Sequence, residues 1–244
     1  MTDNTPPPRR RRTFGAAVAG GITGSLLTAA LLTILAPHYL GSRIVREGLL
    51  ADPQILPDTV DALRDRQYAP VLDANRAAIE TPFASSWKGA AKPAVTVVEF
   101  FDYACPYCKA SNPAIERLLA EDKGLRVVYR ELPILGPDSV TAARLSLTAS
   151  KIGRFTLFHD AQWAAGRPDM ATTAAASQAA GIAPQPTNDP LIEAELKRNF
   201  QLAGQLGATG TPVFVIGNKV MNGAVGYDAL KAAIAATRSR KTSA

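Results

Sequence analysis

Val97-Val98-Glu99-Phe100-Phe101-Asp102-Tyr103-Ala104-Cys105-Pro106-Tyr107-Cys108-Lys109 holds both cysteines of a chain of 244 residues. Its first half is apolar and rich in Val and Phe, as in a strand buried on both faces. Its second half reads as a helix start. Pro106 suits the first turn, where its missing N–H costs nothing, and Cys108 follows about one turn after Cys105. A thiol reacts as its thiolate, and the unsatisfied N–H groups and positive dipole end of a helix N-terminus favour that form. The expectation is a redox pair in which an accessible Cys105 attacks and a sheltered Cys108 resolves, close enough to close a small disulfide ring.

Other uses of two cysteines stand beside this one. Zinc wants about four ligands, and the chain adds only His38 and His159, far apart in sequence. A soft Cu(I) ion on the two thiolates needs no more than the pair. An inert structural disulfide across two residues would remove little unfolded-state entropy.

Glu99 interrupts the apolar strand with a carboxylate. Burying it ionised is expensive, so it either takes up a proton, holds a partner, or lies at the wet edge of the strand. Thr211-Pro212, just before a second apolar run, reads from the residues alone as a loop proline. His159 is a lone histidine in a helical stretch, and Lys109 points to solvent.

Glu99-Phe100-Phe101 before Cys105-Pro106-Tyr107-Cys108, with Gly210-Thr211-Pro212-Val213-Phe214 roughly a hundred residues later, resembles the DsbA-like branch of the thioredoxin superfamily. The long helical region ahead of the strand, with Phe101-Asp102-Tyr103, resembles the ScsC-like disulfide oxidoreductases. The resemblance runs from about Leu49 to the end of the chain. It implies an α/β thioredoxin fold with a helical insertion, and thiol-disulfide exchange as oxidase or isomerase without an organic cofactor. It implies that Glu99 lies beneath Cys108 and moves its proton. It implies that Pro212 is cis against the cysteines, with the Thr211 backbone pairing with an extended substrate; Pro106 and Tyr107 join these as substrate-binding residues. The partners implied are unfolded or partly folded secreted proteins, a membrane redox partner, and further copies of the chain. A copper-binding dithiol protein or a holdase chaperone is the alternative.

Hydrophobic residues make up 47% of the chain and charged residues 20%, which suits one globular domain with an apolar segment attached. The net charge is +6, but Arg9, Arg10, Arg11 and Arg12 supply four of these charges. What remains is too little for a nucleic-acid surface. Residues 1–13 read as a disordered basic tail. Phe14 to Leu35 carries no charge over 22 residues, long enough at about 1.5 Å per residue to span a hydrocarbon core of roughly 30 Å. Residues 14–36 are therefore expected to anchor the chain in a bacterial inner membrane, arginines inside and catalytic domain in the periplasm. A cleaved signal leaving a soluble periplasmic protein is the alternative, although Thr33-Ile34-Leu35-Ala36-Pro37 offers no clean cleavage site.

Residues 37–80 read as a helical stalk or oligomerisation region with an apolar stripe at Leu40, Ile44, Val45, Leu49, Ile55, Leu56, Val60, Leu63, Val71 and Leu72. Asp52-Pro53 is a helix start and Pro57 a restart or kink. Residues 81–93, with Pro82, Gly89, Pro93 and Trp87, read as a linker. The domain then occupies residues 94–238: a strand from Val95 to Phe101, a helix kinked at Pro113, and a strand from Leu125 to Leu132 parallel to the first. An insertion of short helices over about 137–207 is broken at Gly166-Arg167-Pro168 and Ala183-Pro184-Gln185-Pro186, with Phe155, Phe158, Trp163 and Met170 as its core. Gly217-Asn218 turns a hairpin into Lys219-Val220-Met221. A helix from about Tyr227 to Thr237 and a polar tail close the chain.

Overall fold

The computed structural model describes residues 41–186 and 188–242. The expected basic tail and anchor, residues 1–36, lie outside them. None of the described helices is long and apolar enough to cross a membrane. By its internal contacts the chain divides into Met1–Asp61 and Ala62–Ala244.

In the first unit, residues 41–51 form helix α1. Asp52 then accepts the N–H of Gln54 at 3.3 Å, and α2 (Ile55–Glu80) begins. Pro57 falls in its first turn, where no main-chain donor is needed. Ile44, Val45, Ile55, Leu56 and Val60 are exposed.

The second unit is built on a five-stranded sheet in the order β1-β3-β2-β4-β5. Its centre is β2 (Val95–Phe101), parallel to β3 (Leu125–Glu131) and antiparallel to β4 (Val213–Ile216). Both β2 and β3 are buried on two faces, so their hydrophobic runs are nearly continuous. The alternation of side chains sends Val95, Val97 and Phe101 to one face and Val98 and Phe100 to the other. Helix α3 (Pro106–Glu121) links the two parallel strands and runs unbroken through Pro113.

The first face packs on α3, on α4 (Pro137–Lys151), α5 (Phe155–Ala165) and α6 (Met170–Ala180), and on α8 (Gly226–Thr242). The second packs on the C-terminal half of α2, through Leu72 and Ile79, and on α7 (Pro190–Gln205), through Leu202. Among the described residues of the expected apolar stripe, Leu72 is buried against the sheet, whereas Ile44, Val45, Ile55, Leu56, Val60 and Leu63 are exposed.

The insertion breaks where expected and at one further place. Gly166 and Pro168 separate α5 from α6; Asp169 starts α6 with a capping box to Thr172. Asp189 caps α7 ahead of Pro190. The additional break is at Gly153, between α4 and α5. Phe155, Phe158 and Trp163 are core residues, but Met170 is not: it occupies the first position of α6 with its side chain 89% exposed.

Two further expectations change. Residues 87–89, read as linker, form the edge strand β1 (Trp87–Gly89), antiparallel to β3, with the Arg126 guanidinium stacked over the Trp87 ring at 4.7 Å. Three residues are too few for a period to show. The polar tail begins later than expected, because α8 continues through Arg238, whose guanidinium pairs with Asp122 at 2.6 Å. The hairpin between β4 and β5 (Lys219–Asn222) turns at Gly217, φ +59°, and a Cβ there would meet the Thr237 hydroxyl at 2.6 Å. Only glycine suits both constraints.

Candidate active site

The end of β2 and the start of α3 bring the two cysteines together as unlinked thiols. Cys105 is the N-cap of α3 and Pro106 its first residue, so the Cys105 sulfur lies beside the unsatisfied N–H groups of the first turn. Cys108 is one turn further in and wholly buried. Burial pushes its thiol well up, and Glu99 adds to this; the Asp102 N–H and the Thr211 hydroxyl pull the other way. Cys105 is less open than expected, at 4% exposure, because the loop before β4 closes over it and its thiol donates to the Thr211 carbonyl oxygen at 3.2 Å.

The Thr211-Pro212 peptide is cis, and Pro212 is buried. The Thr211 hydroxyl is buried with no conventional hydrogen-bond partner and faces Cys108. Pro106, Tyr107 and Lys109 lie on the outer side; Tyr107 is 64% exposed. These seven positions, separated by more than a hundred residues in the chain, therefore meet in one place.

Glu99 is 1% exposed, which excludes the wet edge. It stands in register with Tyr129 on β3 and Phe214 on β4, on the face of β2 that carries Val97 and Phe101 and packs against the cysteines. One of its carboxyl oxygens, Oε1, has no hydrogen-bond partner. Burial, with a smaller effect from Cys105, pushes its pKa up to about 8. A carboxyl placed in this way exchanges a proton near neutrality.

Two acids that sequence reasoning passed over belong to the same neighbourhood. Glu131, in register with Phe101, lies on the same face as Glu99 and is also buried with its Oε1 unpartnered. Burial drives its pKa well up; the Ser146 hydroxyl opposes this, while Asp102 and Glu99 reinforce it. Asp102 is buried and accepts three main-chain N–H groups. The alternation of β3 would have placed Glu131 beside Glu99 once the two strands were paired. Asp102 stands in the Phe101-Asp102-Tyr103 stretch that carries the resemblance, but the sequence reading assigns it no role; its position two residues before Ala104 is one where Asx turns form.

His159 is a core histidine. Burial holds its pKa well below the usual value, with Lys88 contributing. Trp163 Nε1 donates to its Nε2 at 3.2 Å, which leaves the proton on Nδ1 to be donated to Tyr103 Oη at 3.0 Å. Both ring nitrogens are engaged, and the ring sits among Phe101, Tyr129 and Phe155. The Tyr103 hydroxyl also meets Ser146 at 3.1 Å, tying β2's end to α4 and α5. Among the described residues no cluster of three or more His, Cys, Asp or Glu side chains is arranged to hold a metal ion.

A family model described as a DSBA-like thioredoxin domain matches residues 96–235. A periplasmic thioredoxin-like protein of Salmonella enterica serovar Typhimurium is 33% identical and superposes with a TM-score of 0.62, over 67% of this chain and 95% of that one. ScsC of Proteus mirabilis, in a transitional conformation, is 26% identical with a TM-score of 0.65, over 84% of this chain and 98% of that one. Among curated proteins, the Na(+)/H(+) antiporter NhaA 3 of Salinispora tropica is 30% identical over 139 residues, or 56% of this chain. That match spans only 19% of the antiporter's own length.

Proposed function

The chain belongs to the DsbA-like thioredoxin family, and from that membership we propose that it exchanges disulfides with protein substrates through Cys105 and Cys108. The observation that carries this reading is the Cys105 sulfur at the mouth of α3, 3.2 Å from the Thr211 carbonyl, with Cys108 fully buried behind it. In the direction starting from the dithiol, the Cys105 thiolate attacks one sulfur of a client disulfide. An S–S bond to the client forms, the client's own S–S bond breaks, and its second sulfur leaves as a thiolate that takes a proton from solvent. Cys108 then gives its proton to ionised Glu99 and attacks Cys105. The Cys105–Cys108 disulfide forms as the client's sulfur leaves as a thiolate, which takes a proton from solvent while Glu99 releases its own, and the client has been reduced by two electrons. Run backwards, the same steps oxidise a client dithiol. Thr211 and Pro212, with Pro106 and Tyr107, seat the client chain.

The exposed apolar residues of α1 and early α2 support self-association through residues 37–80 as part of this reading. The uncharged run from Phe14 to Leu35 supports an inner-membrane anchor with the domain in the periplasm, supplied with electrons or oxidant by a membrane partner. Unfolded or partly folded secreted proteins are the clients.

The test is repair of scrambled ribonuclease and refolding of reduced ribonuclease by the wild type and by Cys105→Ser. Loss of both activities in the variant supports exchange. Equal protection of clients by both proteins, with no catalysis by either, overturns it in favour of a holdase. The equilibrium of the Cys105–Cys108 pair with glutathione assigns the direction: a potential near that of a reductase removes the oxidase role.

A further inference from the structure

Glu99 is buried, and the titratable groups that face it are Cys105, Cys108, Tyr129 and Glu131. None of these is a cation. An ionised carboxylate in such a place has to be held by hydrogen-bond donors instead of an opposite charge.

Glu131 stands one strand across and two residues further along, with its main chain about 8 Å from that of Glu99 and its side chain on the same face of the sheet. Its surroundings fix which of its oxygens carries a proton. Trp163 Nε1 donates to His159 Nε2 at 3.2 Å, so His159 Nδ1 donates to the Tyr103 hydroxyl at 3.0 Å. Tyr103 then gives its own proton to the Ser146 hydroxyl at 3.1 Å, and Ser146 gives its proton to Glu131. A hydroxyl has one proton to give, so the donors run in one direction and end on a Glu131 oxygen that accepts. The remaining oxygen, Oε1, is buried without a partner. Asp102 also faces Glu131, and both of its oxygens accept main-chain N–H groups, as those of a carboxylate do. A carboxyl set between two others is the last of the three to ionise. The proton of Glu131 therefore belongs on Oε1.

We propose that Glu131 is a positioning residue for Glu99: its Oε1–H donates to the Glu99 carboxylate and so lets a buried Glu99 act as the base for Cys108. This deepens the exchange function above and rests on it. In the step concerned, the Cys108 thiol gives its proton to Glu99, the negative charge passes to the Cys108 sulfur, and Glu131 keeps its own proton throughout. The chain from Trp163 to Ser146 holds the accepting side of Glu131, which leaves the donating side for Glu99.

Full-length chains carrying Glu131→Met and Glu131→Gln test this. The step measured is the release, in a single turnover, of a peptide joined to Cys105 as a mixed disulfide, followed against pH. In the wild type its rate is expected to rise with a midpoint of about 8. Glu131→Met has no donor and is expected to move the midpoint up by about one pH unit, a tenfold change in proton affinity. Glu131→Gln keeps a donor and an acceptor and is expected to restore the midpoint. A lower midpoint in both variants would mean that Glu131 is ionised beside Glu99, and it overturns the proposal. An unchanged midpoint in Glu131→Met overturns it as well. Where that variant does not fold, carbon-13 NMR of the glutamate carboxyls in the wild type decides, with Glu131→Gln and Glu99→Gln assigning the signals. The Glu131 signal is expected to keep its protonated position beyond the pH at which the Glu99 signal moves. Glu131 titrating with Glu99 or before it overturns the proposal. A wild type that releases no peptide at any pH is a different result: it counts against the exchange function, and the carboxyl spectra still decide whether Glu131 holds its proton.

Discussion

The Cys105 sulfur donates to the main-chain oxygen of Thr211 at 3.2 Å. In the exchange function proposed above, an extended client would pair with that same oxygen, so the thiol and the client backbone would compete for one acceptor. As a thiolate, Cys105 would face the carbonyl's lone pairs without a hydrogen between them, a repulsive contact whose opening would free both groups.

The two sulfurs differ in place: Cys105 is the N-cap of α3, whereas Cys108 lies one turn in with no exposed surface. Cys108→Ser is expected to accumulate a covalent client complex through Cys105, while Cys105→Ser accumulates none, because a client cannot reach a sulfur with zero exposure. Non-reducing electrophoresis with mass spectrometry of the linked species reads this directly. A complex formed through Cys108 would reverse the assignment.

Glu99 predicts a pH dependence of stability. Its pKa is about 8 in the folded protein, against an ordinary carboxylate value of 4.5. Between these values the folded state binds a proton that the unfolded state has released, so stability falls as pH rises from about 4.5 to 8 and then levels. Glu99→Gln removes this slope and is expected to melt progressively higher than the wild type toward pH 8. Parallel melting curves from pH 5 to 9 would show that Glu99 is not held protonated. The same variant should lose the rise in the rate of client release as pH approaches 8, since an amide accepts no proton from Cys108.

Much of this arrangement was legible before any coordinates. The Val and Phe run of β2, the Cys-Pro start of α3 and the parallel return of β3 follow from apolar runs and turn chemistry, and Gly217-Asn218 marks its hairpin. Glu99 was visible because a charge broke an apolar run. Glu131 was hidden by following Arg130 at the end of β3, where two adjacent charges look like the wet end of a strand rather than two buried groups on opposite faces. Met170 misled because apolar character alone does not say which side of a helix faces the core; Asp169 and Thr172 fix where α6 starts and leave the methionine outside.

Arg130 gives a prediction of its own. It is 2% exposed on the face opposite Glu131, and its guanidinium pairs with Glu195 at 2.8 Å and Asn199 at 2.9 Å on α7. It also donates to the carbonyls of Ile79 at 2.8 Å, Thr81 at 2.7 Å and Ala78 at the C-terminal end of α2. Arg130→Met leaves Glu195 buried without its main partner and is expected to cost about 3–5 kcal/mol. Arg130→Met with Glu195→Leu should recover part of the loss. Urea unfolding of the three proteins decides it, and a single variant as stable as the wild type would show that the clasp contributes nothing.

The same contacts tie the C-terminal half of α2 to the sheet. Leu72 and Ile79 are each 1% exposed against Val98, Phe100 and Val128, and burying each is worth roughly 1.5–3 kcal/mol. Arg76 adds a hydrogen bond to Asn218 at 2.7 Å, tying α2 to the β4–β5 turn. A chain cut within residues 81–93, the boundary that composition alone suggests, loses all of these and strands the Arg130 donors that bind Ala78 and Ile79. A chain beginning at residue 62 keeps them. The shorter protein is therefore expected to melt at least about 10 °C lower, given that 1 kcal/mol moves the midpoint of a domain this size by about 2–4 °C. Calorimetry of the two truncations makes the comparison, and equal midpoints would mean that α2 only lies on the sheet without stabilising it.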